Sequence, residues 1–117
     1  MNDNDIPILK KSYDLYKLFH EYRRVIPKCD RFTVFERSEN LILQIIEILL
    51  EAGYSQHGNK ATALETASTK VNLLRFLIRL MKETKSLDAK KYVTLQTVID
   101  EIGRMLGGWL RSAGPAR

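Results

Sequence analysis

The chain has 117 residues, 44% of them hydrophobic and 28% charged, with a formal net charge of +5. That length predicts one domain with a core of its own, and that balance excludes a disordered chain. A single cysteine, Cys29, excludes an intramolecular disulfide and predicts a reducing, cytoplasmic setting.

No apolar run approaches the roughly 18 residues of a membrane span, and the opening MNDNDIPILKK lacks a signal-peptide core. The basic excess leaves nucleic acid, an acidic partner and an anionic surface open as partners.

The spacing predicts four helices, over about 8–25, 31–52, 60–85 and 88–112. In the first, Leu9, Tyr13, Tyr16, Phe19 and Tyr22 recur at helical intervals. Lys10, Lys17 and Arg24 recur every seven residues and are expected to share a face, solvated or in contact with a partner. Ile26-Pro27 ends this helix, because proline disfavours helical geometry in the residue before it. Asp30 is placed to cap the second helix and Gly53 to end it.

The second helix holds LILQIIEILL at residues 41–50. Glu36, Asn40, Gln44, Glu47 and Glu51 form its polar strip. The turn YSQHGN, residues 54–59, precedes a third helix that starts at Asn59 or Lys60, with Thr62 and Glu65 at capping-box spacing. Ser86 or Asp88 caps the fourth, whose apolar positions are Tyr92, Leu95, Val98, Ile99, Ile102, Met105, Leu106, Trp109 and Leu110. Four helices joined by short loops make an all-α, antiparallel up-down-up-down four-helix bundle.

The most unusual stretch is VNLLRFLIRLM, residues 71–81. On a helix its apolar side chains cover roughly 200°, about twice the width of an ordinary buried stripe. Phe76 is expected to face the core, and the apolar excess to form a subunit interface. Arg75, Arg79 and Lys82 stand one above another on the narrow strip that remains. Residues 59–87 carry net +4 and residues 30–58 net −3, so the surface is expected to be polarised. Arginine's planar fork suits phosphate or carboxylate. With no base-reading motif present, nucleic-acid contacts are expected at phosphates.

EIGRMLGGWLRSA, residues 101–113, places Gly103, Gly107 and Gly108 inside a helical pattern, at a cost of about 1 kcal/mol each relative to alanine. The expected compensation is close approach of another helix backbone, from this subunit or a neighbour. Trp109 is read as an anchor, and Arg104 and Arg111 share a face.

There is no P-loop, GxGxxG, HExxH or CxxC. His20 and His57 lack neighbouring ligands at metal spacing, and nothing nominates a base for Cys29. No enzyme, metal or cofactor is expected.

LLRFLIRLM followed by EIGRMLGGWLRS, together with AGYSQHGNK (residues 52–60) and ALETASTK, resembles the Avd family, the accessory variability determinants of diversity-generating retroelements. The resemblance covers about residues 50–113; the first fifty match in pattern only. It implies a basic, barrel-like homopentamer of four-helix bundles. It also implies a non-catalytic role, binding the retroelement's reverse transcriptase and its RNA during synthesis of mutagenised cDNA, with DNA as a further ligand.

The family's arginines in this segment fall on Arg75 and Arg79, the leading candidates for partner binding. Lys82, Lys85, Arg104 and Arg111 join them by helical adjacency. The alternative is a relative encoded in ribosomal RNA intervening sequences: the same bundle, binding RNA or protein without a reverse transcriptase.

Overall fold

A computed structural model describes residues 6–54 and 57–114, and the side chains of residues 7–54 and 60–114. Four long helices, α1 (Ile6–Tyr22), α2 (Glu36–Tyr54), α3 (His57–Glu83) and α4 (Ala89–Ala113), account for most of it. Each packs on the next and α1 also packs on α4, so α1–α3 and α2–α4 are the diagonals of an up-down-up-down bundle. The molecule measures 43 × 23 × 18 Å, and its long axis is about the roughly 40 Å that α3 alone spans at 1.5 Å per residue.

The face α1 buries differs from the expected one. Ile8, Ser12, Leu15 and Phe19 form the buried line, while Tyr13 is exposed and Leu9, Tyr16 and Tyr22 are half-buried. Ser12 is admitted because its hydroxyl donates to the Ile8 carbonyl at 2.8 Å, which removes the cost of an unpaired buried polar group. Facing the tyrosines inward would have required partners for their hydroxyls as well. Tyr13 instead lies under the Lys17 ammonium, 4.9 Å from the ring centroid.

The α1–α2 connection is more structured than its sequence indicates. α1 tightens into a 3₁₀ turn, Arg23–Val25, so Arg24 leaves the helical register of Lys10 and Lys17. Ile26 is extended (φ −79°, ψ 131°) and buried, as its place before Pro27 favours. A short helical turn, Lys28–Asp30, and a π turn, Arg31–Phe35, lead directly into α2. Phe35 thereby stacks on Phe19 with centroids 4.4 Å apart and planes 10° from parallel. Asp30 does not cap; its carboxylate accepts from the Ser86 hydroxyl, tying this connection to the α3–α4 loop.

α2 runs through Gly53 to Tyr54, so Gly53 does not end it. Ser55 and Gln56 of the expected turn lie outside the described residues. His57, Gly58 and Asn59 already belong to α3, and Thr62 sits inside that helix rather than capping it. Ala61, Leu64, Ala67, Val71, Leu74, Ile78 and Met81 make one buried stripe along α3.

α3 stops at Glu83, two residues earlier than expected. Lys85 adopts a left-handed conformation (φ 68°). The Ser86 amide then reaches the Met81 carbonyl at 2.8 Å and the Lys85 amide reaches that of Lys82 at 3.0 Å, which is the Schellman arrangement. Asp88 caps α4 by accepting from the Lys91 amide at 2.8 Å. The nine apolar positions expected on α4 all lie in the core or pack against it.

Candidate functional site

The α3–α4 seam holds most of the candidate residues. Arg75 is about one-third exposed and bound within the protomer. Its Nε donates to Asp100 Oδ1 at 3.1 Å and its Nη1 to Asn72 Oδ1 at 3.0 Å. The remaining Nη2 lies over Gly103, where a β-carbon would collide with it. Its backbone carbonyl accepts from Gln96 Nε2 at 3.3 Å. The glycine at 103 therefore seats an arginine, and among the described residues the three atoms nearest its β-carbon position, its own helix backbone aside, all belong to that guanidinium. Around Gly107 and Gly108 a β-carbon would meet, among the described residues, only the Arg111 guanidinium, at 3.5 and 3.8 Å, an ordinary contact distance.

Arg79 differs. Its side chain is 68% exposed and its Nε donates to Glu83 Oε2, one turn along, at 3.3 Å. An exposed i,i+4 pair of this kind holds a side chain weakly, at about 0.3–0.5 kcal/mol. Lys82 rests its ammonium 4.9 Å from the Tyr92 ring centroid. Arg104 is exposed and, among the described residues, its side chain has no ion-pair or hydrogen-bond partner. Lys85 is exposed in the loop, where it closes the end of α3.

Arg75, Arg79 and Lys82 thus share one edge of α3, with Asp100, Gly103 and Arg104 grouped on the facing edge of α4. Arg111 lies two turns beyond Arg104, and Lys85 is separate in backbone geometry from all of them.

Phe76, like Tyr13, lies outside although the sequence pattern placed it inward. It is 66% exposed, with Leu73 and Leu80 partly exposed on the same side of α3. The stripe through Leu74 and Ile78 already fills the core, so the wide apolar arc leaves its second flank in solvent. On the neighbouring helix, Leu43, Leu50 and Tyr54 are also exposed. The signal for Phe76 was present in the width of the arc, which exceeds what three neighbouring helices cover. Arg79 and Phe76 are i and i+3, so a guanidinium and an aromatic ring are presented side by side.

Among the described residues two carboxylates are held below the ordinary carboxylate range, both at the periphery. Asp88 is lowered first by the Lys91 amide that it caps and then by the Lys91 ammonium. Asp14 is lowered by its hydrogen bond from Lys10. Neither belongs to a cluster that could do acid–base chemistry. Among the described residues no group of His, Cys, Asp and Glu is placed to hold a metal, and no helix is long and apolar enough to cross a membrane. Cys29 is exposed in the short turn before α2.

The fold is an all-α four-helix bundle that presents basic and apolar side chains on its surface. The bAvd-like family model matches residues 6–113, and the chain belongs to that family. Membership points to an accessory protein of a diversity-generating retroelement, a generally non-catalytic class. A comparison with curated proteins finds no match.

Proposed function

We propose that this protein is the oligomeric accessory subunit of a diversity-generating retroelement. It docks the retroelement's reverse transcriptase through Arg79 and its α3 neighbours, and contacts template RNA or cDNA at phosphates. The observation that carries the reading is the family match across residues 6–113, which also favours it over the intervening-sequence alternative. The exposure of Arg79 beside an uncovered Phe76 supports it. Arginine and aromatic side chains are the residue types that most often dominate protein interfaces. Arg75 positions the seam and lends charge, since its guanidinium is already held by Asp100 and Asn72.

The exposed apolar side chains Leu73, Phe76 and Leu80 on α3, with Leu43 and Leu50 exposed on α2, provide surface for contact between copies. A closed homopentamer is the assembly we assign to it. Acidic α2 and basic α3 would face one another across that contact.

Co-expression with the neighbouring reverse transcriptase tests the docking role. The wild-type chain is expected to co-purify with it. Arg79→Ala is expected to lose the complex while keeping its melting temperature and oligomer size. Retention of the complex by Arg79→Ala and Arg79→Glu alike would reject the assignment.

A further inference from the structure

On the α1–α2 side of the bundle, across from the seam, an open hollow of about 500 Å³ is lined by His20, Glu21, Arg23, Arg24 and Arg31. Three guanidinium groups face one lining carboxylate there. How they are held decides what the hollow can bind.

Arg31 folds back over the end of α1. Its Nε donates to the Ile26 carbonyl at 2.9 Å and its Nη2 to the Arg24 carbonyl at 3.3 Å. Carbonyls at a helix end lack intrahelical partners, and Ile26-Pro27 turns the chain away before another amide can supply one. Arg31 fills that role with two of its five N–H donors and keeps three. Arg23 stacks over the Phe32 ring at 5.3 Å and stands 3.9 Å from Glu39, too long for a hydrogen bond. Glu39 is instead engaged by His20 Nδ1 at 3.0 Å. The Arg24 side chain is exposed and has no ion-pair or hydrogen-bond partner among the described residues.

Three arginines are therefore gathered in one concavity, two of them oriented by the fold, and most of their donors are uncommitted. Like charges brought this close repel, and an oxyanion between them would relieve that repulsion. Arginine forks match phosphate geometry in particular.

We propose that this hollow is a phosphoanion-binding site. Arg24 supplies the mobile contact and Arg23 and Arg31 the preset ones. The space is large enough for a diphosphate or for two successive phosphates of a nucleic-acid strand. The site is independent of Arg79 and of the reverse-transcriptase reading.

Isothermal titration of the full chain with sodium pyrophosphate, in chloride buffer, tests this. Saturable binding is expected, weakened about tenfold or more by Arg24→Glu, because the variant replaces a charge-assisted contact with a like-charge repulsion. Arg24→Gln should weaken it less, and Arg79→Ala should leave it unchanged. The Arg24 variants should melt like the wild type, since that side chain holds nothing in place. No binding, or binding that Arg24→Glu leaves unchanged, would overturn the site.

Competition identifies the natural source. Displacement of pyrophosphate by oligouridylate, steepening as salt is lowered, names a strand. Saturation by pyrophosphate that oligouridylate cannot displace names a free polyphosphate.

Discussion

The guanidinium of Arg75 lies on the backbone of Gly103, anchored beside it by Asp100 and Asn72. Glycine in a helix interior costs about 1 kcal/mol relative to alanine. A part-exposed arginine–carboxylate pair returns about 0.2–1 kcal/mol. The two nearly balance. Gly103→Ala is expected to stay within about 1 kcal/mol of the wild type in urea denaturation while pushing Arg75 off Asp100. In an Arg75→Ala background the same change should stabilise by the full propensity term of about 1 kcal/mol. Equal effects in both backgrounds would show that the seat carries no coupling.

Lys85 closes α3 in a left-handed conformation that side chains with a β-carbon resist by about 1–2 kcal/mol. Lys85→Gly is expected to raise stability by about 1 kcal/mol, since the Schellman bonds at Met81 and Lys82 are backbone only. The urea midpoint should rise with an unchanged slope. A fall would mean that the lysine side chain makes a contact worth more than its backbone strain.

Phe76 and Ile78 are two residues apart and should behave oppositely. Ile78 is fully buried, so Ile78→Ala is expected to cost about 2–5 kcal/mol. Phe76→Glu should leave the protomer's stability within about 0.5 kcal/mol of the wild type, as for other surface changes. It should, however, reduce the assembly to its 13.5 kDa protomer in light scattering. An unchanged oligomer would remove this flank from the interface.

The Asp88 cap predicts an acid limb in the stability profile. Its carboxyl is lowered in the folded chain. Its stabilising contribution is therefore complete above the ordinary carboxylate range, and is lost as pH falls through the folded value. Melting temperatures measured from about pH 6 to pH 2.5 should fall for the wild type. Asp88→Asn keeps an acceptor for the Lys91 amide but cannot titrate, so its profile should be flatter over that window. Asp14, lowered by Lys10, contributes in the same direction and will remain in the variant.

The repeating apolar positions, Pro27 and a cap at Ser86 or Asp88 were enough to specify four helices, because helical spacing and capping are local properties of a few successive residues. They also identified the whole apolar face of α4 and the abnormal width of the arc on α3. What the neighbours contribute is not local, and the errors fall there. Tyr13 turns outward because Ser12 can satisfy its own hydroxyl one turn back. Phe76 is left in solvent because Leu74 and Ile78 already fill the available core. Within the protomer Gly103 accommodates an arginine from another helix, and Arg31 answers two carbonyls five and seven residues behind it. The sequence by itself determined which segments coil and how much apolar surface they carry. Only the tertiary structure decided which of that surface is spent on the core, and which arginines are already bound, because both depend on side chains brought together from distant parts of the chain.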